Sequence, residues 1–141
     1  VLCDYLPGCC LLISDYCWQQ VGAFDEGYFL YFEETDWCYR ARLGGIELRY
    51  IPSAVAIHCF QDSKLASPLV TYYYNRNRRV FFFRFGGIVN KIRTWVDTIF
   101  KDLPQAKQAL CEAKEQIDRD LMKAHVDSCR DFLRGRMGRW H

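Results

Sequence analysis

The stretch FDEGYFLYFEETDWCYRARLGG, Phe24 to Gly45, decides how this chain is read. It sets Asp25, Glu26, Glu33, Glu34 and Asp36 among Tyr28, Phe29, Tyr31, Phe32 and Trp37. Acids this close repel one another, and burying a charge among aromatic rings costs more unless it is paired. Two arrangements tolerate the pattern. The acids cap a helix, or they do chemistry in a half-buried cleft. The spacing predicts an aromatic loop over Phe24 to Phe32 and a helix over Glu33 to Leu43, closed by Gly44-Gly45.

In that helix Glu33, Glu34 and Asp36 fall in the first turn. Backbone N–H groups there lack partners and favour negative charge. An ionised, positioned carboxylate is what a general base must be. Asp36 and Arg40 are four residues apart and can pair, which leaves Glu34 without that partner. First-turn acids also serve as simple dipole partners, and both readings stay open here. The Tyr and Phe side chains upstream either form walls for a sugar or another flat face, or fill a core.

Before this stretch, Tyr5-Leu6-Pro7-Gly8 reads as a turn and Cys9 to Ile13 as a short buried strand. Ser14-Asp15 caps a helix that runs through Val21 and stops at Gly22. After it, Ile46 to Tyr50 alternates as a half-buried strand, Pro52 breaks it, and Ala54 to Cys59 reads as a second strand. Ser67-Pro68 opens a helix to about Phe85, with Leu69, Tyr72, Tyr73, Arg76, Val80 and Phe83 as its stripe. Ile88, Ile92, Trp95, Ile99 and Leu103 mark a further amphipathic helix. Pro104 opens another, with Leu110, Ala113, Ile117, Leu121 and Ala124 on its apolar face. The first half is therefore expected to be mixed α/β and the rest helical.

Half of the 141 residues are hydrophobic, enough for one substantial core and against disorder. The formal net charge of +2 gives no steer towards nucleic acid. The 8 cysteines include no C-x-x-C pair, which argues for reduced thiols and against a zinc site. No apolar run is long enough to span a bilayer. The first residue is Val1, which suggests a fragment or a processed chain.

Two single residues and one segment remain open. His58, at the end of its expected strand, is either a metal ligand or a hydrogen-bonded strand-end histidine. Arg76, in a core-facing position, needs an anion such as a pyrophosphate, a structural carboxylate such as Asp36 or Glu26, or several carbonyls. Arg78-Arg79, Phe81 to Phe85, Lys91, Arg93 and Trp95 fit a buried helix with snorkelling arginines, an anionic membrane surface, another domain or, without a recognised motif, nucleic acid.

The order of motifs then becomes specific. Pro7 to Ile13, Val21-Gly22-Ala23-Phe24-Asp25-Glu26 and Phe29 to Arg40 are followed by Gly45, Tyr50-Ile51-Pro52, His58, Ser63, Tyr73-Tyr74 and Arg76-Asn77. Together these resemble the second half of a family 2 glycosyltransferase of the rhamnosyltransferase-like kind, over roughly Leu2 to Phe85. The resemblance implies an α/β fold, the second half of a Rossmann-like GT-A domain, over residues 1–66, followed by a helical segment over 67–141. It implies inverting transfer of a sugar from a nucleotide-diphosphate donor to a saccharide or lipid-linked saccharide acceptor. The setting would be cell-surface polysaccharide synthesis in the cytoplasm, at the inner face of the membrane, with no nucleic acid partner.

By position in that family Glu34 is the catalytic base, where the usual residue is aspartate. Gly8, Asp25, Glu26, Glu33 and Trp37 fall on the acceptor side, Arg76 near the donor phosphates, and His58 where a histidine helps to hold a divalent cation, Mg or Mn. The nucleotide-binding strands and the Asp-x-Asp of the family would precede Val1. Without them this polypeptide is expected neither to bind donor tightly nor to transfer sugar. A non-catalytic module that binds a glycan or a partner is the alternative.

Overall fold

The computed structural model describes residues 1–59 and 67–140. Among them the order is β1 (Leu2–Cys3), α1 (Asp15–Val21), a 3-10 turn (Glu26–Tyr28), α2 (Glu33–Leu43) and β2 (Leu48–Arg49). Then come α3 (Pro68–Phe85), α4 (Ile88–Asp97), a π turn (Thr98–Asp102), α5 (Leu103–Glu112) and α6 (Gln116–Leu133). The helix boundaries follow from caps. Ser14 Oγ accepts the N–H of Cys17, and Gly22 ends α1 with φ 81°. Ser67 Oγ accepts the N–H of Val70 ahead of Pro68. Both are polar side chains filling the unpaired donors of a helix start.

β1 and β2 pair antiparallel, Leu2 opposite Arg49 and Cys3 opposite Leu48. This is the two-stranded sheet of the described residues. Two expected strands are corrected. Cys9 to Ile13 and Ala54 to Cys59 are irregular, and Leu12, Val55 and Ile57 lie in the open. An apolar run becomes a strand only when a neighbour accepts its hydrogen bonds, and no strand lies beside either segment among the described residues. The helix expected from Pro104 is also corrected. It divides at Ala113 to Glu115, where Ala113 and Glu115 are extended, into α5 and α6.

One core gathers Trp37, Cys38 and Ala41 of α2 with Leu48, against Leu6, Ile13, Val21 and Phe24. Trp37 donates its indole N–H to Gly22 O at 2.8 Å, so the ring is buried without an orphaned donor. A second core sets Tyr72 and Tyr73 of α3 against Ala124 of α6, with Leu30, Tyr31 and Trp140. Trp140 stacks on Tyr72 at 4.7 Å between ring centroids, so the end of the chain folds back onto α3. Tyr39 bridges the two halves by packing on Phe81 and Phe85. The 8 cysteines are free thiols.

The arginines of α3 do not snorkel as a set. Arg79 is 3% exposed and donates to Asp102 at 2.7 Å, to Asn75 O and to His125 Nε2. Phe82 and Phe83, by contrast, are exposed. A buried ion pair with further hydrogen bonds thus ties α3, the π turn and α6 together.

Candidate functional site

The start of α2 carries the site. Its N-terminal neighbour Phe32 adopts φ 74°, and Tyr31 and Phe29 both have φ 63°. Three non-glycine residues in the left-handed region within four positions carry strain, which persists only where the surroundings over-determine it. The surroundings are Arg76 and Asn77, both fully buried. Asn77 Nδ2 donates to Tyr28 O, Leu30 O and Tyr31 O at 3.0, 2.8 and 2.8 Å. Arg76 donates to Tyr28 O, Gly27 O and Gly138 O at 2.9, 3.1 and 2.7 Å, and to Asn77 Oδ1 at 2.8 Å. Arg76 therefore satisfies its guanidinium with carbonyls. It clamps the aromatic loop and the chain end, where the sequence had pointed equally to a phosphate.

Asp36 is equally enclosed. Arg40 Nε reaches Asp36 Oδ2 at 2.6 Å, the expected i,i+4 pair. Arg84 bridges Asp36 at 3.0 Å and Asp25 at 2.7 Å, and Tyr28 donates its hydroxyl to Asp36. Burial would raise the Asp25 carboxyl, but the Arg84 guanidinium and the Gly27 N–H outweigh it and hold the group below its ordinary range. Asp25 thus shapes the turn that leads into the aromatic loop. Glu26 stands exposed in that turn.

With Asp36 committed, Glu34 is set apart. Its Oε1 accepts the Tyr5 hydroxyl at 2.8 Å. Its Oε2 is enclosed with no hydrogen-bond partner among the described residues. Burial and the Glu34 charge push the Tyr5 phenol well above its ordinary range, so Tyr5 stays a proton donor to the carboxylate. Gly8 lies directly against this side chain. A Cβ there would stand 3.2 Å from Glu34 Cγ and 3.3 Å from its Cβ.

Glu33 also has an enclosed, unbonded Oε2. Burial pushes its carboxyl up, its own backbone N–H opposes, and Glu34 adds a further rise. Each of these carboxylates thus has an enclosed oxygen that can accept a hydrogen bond from a hydroxyl group. Glu34 can also draw off a proton.

Of the residues singled out in the sequence, Glu34 and Gly8 come together. Trp37 does not join them. It is 3% exposed in the α2 core, because its ring fills the space between α1 and α2. His58 lies exposed in the irregular segment before the undescribed residues, and Ser63 falls outside the described ones. No group of three His, Cys, Asp or Glu among the described residues is placed to hold a metal ion, so these residues do not by themselves fit a divalent cation. The sequence reading missed Tyr5 and the loop-holding role of Asn77. Tyr5 could be found only through its contact with a residue 29 positions away.

Short stretches of the chain match curated proteins. The chain is 38% identical over 55 residues to a low-salt glycan biosynthesis hexosyltransferase of Haloferax volcanii, covering 39% of this chain and 18% of that protein. It is 40% identical over 55 residues to the rhamnosyltransferase WbbL of Escherichia coli K12, covering 39% and 21% respectively. It is 43% identical over 54 residues to an N-acetylglucosaminyl-diphospho-decaprenol L-rhamnosyltransferase of Mycobacterium tuberculosis, covering 38% and 18%. The match spans about a fifth of the length of these relatives. No family model and no solved structure matches the chain. The matched stretch relates the chain to glycosyltransferases.

Proposed function

We propose that this chain supplies the acceptor side and the catalytic base of an inverting glycosyltransferase of family 2 with a GT-A fold. The donor is a nucleotide-diphosphate sugar. The acceptor is a hydroxyl of a saccharide or a lipid-linked saccharide, and the product enters a cell-surface polysaccharide. The mycobacterial relative, named as an N-acetylglucosaminyl-diphospho-decaprenol L-rhamnosyltransferase, supports the lipid-linked choice.

The observation that carries the proposal is the state of Glu34. One carboxylate oxygen is held by Tyr5, and the other is enclosed and unbonded beside Gly8. In the reaction Glu34 accepts the proton of the acceptor hydroxyl as that oxygen attacks the anomeric carbon. The bond to the nucleotide diphosphate breaks on the opposite face, and the configuration inverts. Tyr5 keeps the carboxylate aimed and does not itself give up a proton. Glu33, with its own enclosed oxygen, accepts a second acceptor hydroxyl.

Glu34→Gln in the full-length transferase tests this. General-base loss costs about 10²–10⁴-fold in turnover, with acceptor binding retained. Unchanged turnover would remove Glu34 from the chemistry and favour a module that only binds glycan.

A further inference from the structure

The helix from Ile88 onwards is turned inside out. In a soluble fold the apolar stripe of an amphipathic helix faces the core. Here Ile88, Val89, Ile92, Trp95, Val96 and Phe100 are exposed, with Ile88, Val89 and Phe100 at 70%, 73% and 75%. The polar residues face inwards instead. Thr98 is 1% exposed and donates its hydroxyl to Thr94 O, and Thr94, Asp97, Thr98 and Asp102 line a cleft with Arg78 and Arg79 of α3. The buried Arg79–Asp102 pair locks this orientation, because turning the helix over would strand Arg79 in the interior.

The cations sit where a charged surface would meet them. At 100° per residue, Lys91 and Arg93 fall on opposite edges of the apolar arc, and Lys101 is exposed beyond it. Asp97, the acid of α4, lines the cleft and pairs with Arg93 at 3.5 Å. No described helix is long and apolar enough to cross a membrane. An exposed apolar stripe carrying a tryptophan and edged with cations fits the interfacial region of a bilayer.

We infer that this face docks on an anionic membrane surface, with Ile88, Ile92, Trp95 and Phe100 entering the acyl boundary and Lys91, Arg93 and Lys101 meeting lipid phosphates. Charge decides the occupant. A symmetric contact with a second copy would set the cationic edges against each other, with Asp97, already paired to Arg93, the one acid of α4 to answer them. This inference stands apart from sugar transfer, since docking needs neither Glu34 nor a donor.

The test is co-sedimentation of the full chain with phosphatidylcholine vesicles, with and without phosphatidylglycerol. The chain is expected to bind the anionic vesicles, and binding should weaken as salt rises. Ile92→Glu with Phe100→Glu should lower partitioning more than tenfold, and Arg93→Gln and Lys101→Gln about fivefold each. All these side chains are exposed, so circular dichroism should stay unchanged. Failure to bind anionic vesicles, equal binding to neutral ones, or indifference to the double substitution would overturn the inference. So would a dimer that the double substitution dissolves, or loss of binding in a longer protein whose other segments cover this face.

Discussion

Replacing Asn77 by Ala probes how the site is held. Asn77 shares its two amide hydrogens among Tyr28 O, Leu30 O and Tyr31 O, and its Oδ1 accepts from Arg76. Tyr28 O keeps a donor in the variant, because Arg76 also reaches it at 2.9 Å. Leu30 O and Tyr31 O lose theirs. A buried carbonyl left without a donor costs about 1–3 kcal/mol. Both of these bonds are only partly buried, so water relieves some of that cost. The expected loss is therefore about 2–4 kcal/mol. A second effect should accompany it. Tyr31 and Phe32 hold positive φ because the clamp fixes them, and release lets the loop relax and shift the start of α2. Urea denaturation of the chain followed by circular dichroism reads the first effect, and turnover of the full-length transferase reads the second. A loss below about 1 kcal/mol would refute the reasoning, since single exposed hydrogen bonds already reach that size.

Three further outcomes follow from the site. Tyr5→Phe removes the donor to Glu34 Oε1 and should lower kcat about three- to tenfold with KM little changed, the bond being charge-assisted but solvent-exposed. Gly8→Ala puts a methyl group 3.2 Å from Glu34 Cγ, so kcat should fall while thermal stability moves by about 1 kcal/mol or less. Stability should also depend on pH through His125. Burial first, then the charge of Arg79, hold its pKa below the ordinary 6.5, with Asp102 opposing. Between that lowered value and 6.5 the unfolded chain takes up a proton that the folded chain refuses. Stability is then full above 6.5 and falls as pH drops through this window, and His125→Gln should flatten the fall in denaturation midpoints.

Much of the helical frame was legible because its signals are local. Ser14, Gly22, Ser67-Pro68 and Gly44-Gly45 mark ends that depend on a few neighbouring residues, and α1, α2 and α3 begin and end there. The strands were not legible in the same way, because a strand needs a partner that its own residues do not specify. Leu12 and Ile57 look like core residues in the sequence and stand open in the fold. The break at Ala113 to Glu115 has no glycine or proline to announce it. The left-handed run at Phe29, Tyr31 and Phe32 was hidden for a related reason, since aromatic residues rarely adopt it and the distant Arg76 and Asn77 impose it. The pairing of Asp36 with Arg40 was visible at i,i+4, and the isolation of Glu34 followed from it. That Arg76 must be buried was visible too, but its choice of carbonyls over phosphate required knowing where the loop and the chain end return.

Chemical rescue asks most directly whether Glu34 takes the proton. Glu34→Ala in the full-length transferase removes the carboxylate and leaves a small space beside Gly8 and Tyr5. Added formate should restore turnover in a saturable way, with inverted product, and should do nothing for Glu34→Gln, whose amide still fills the space. Full activity of the Ala variant without formate, or equal stimulation of both variants, would contradict the account.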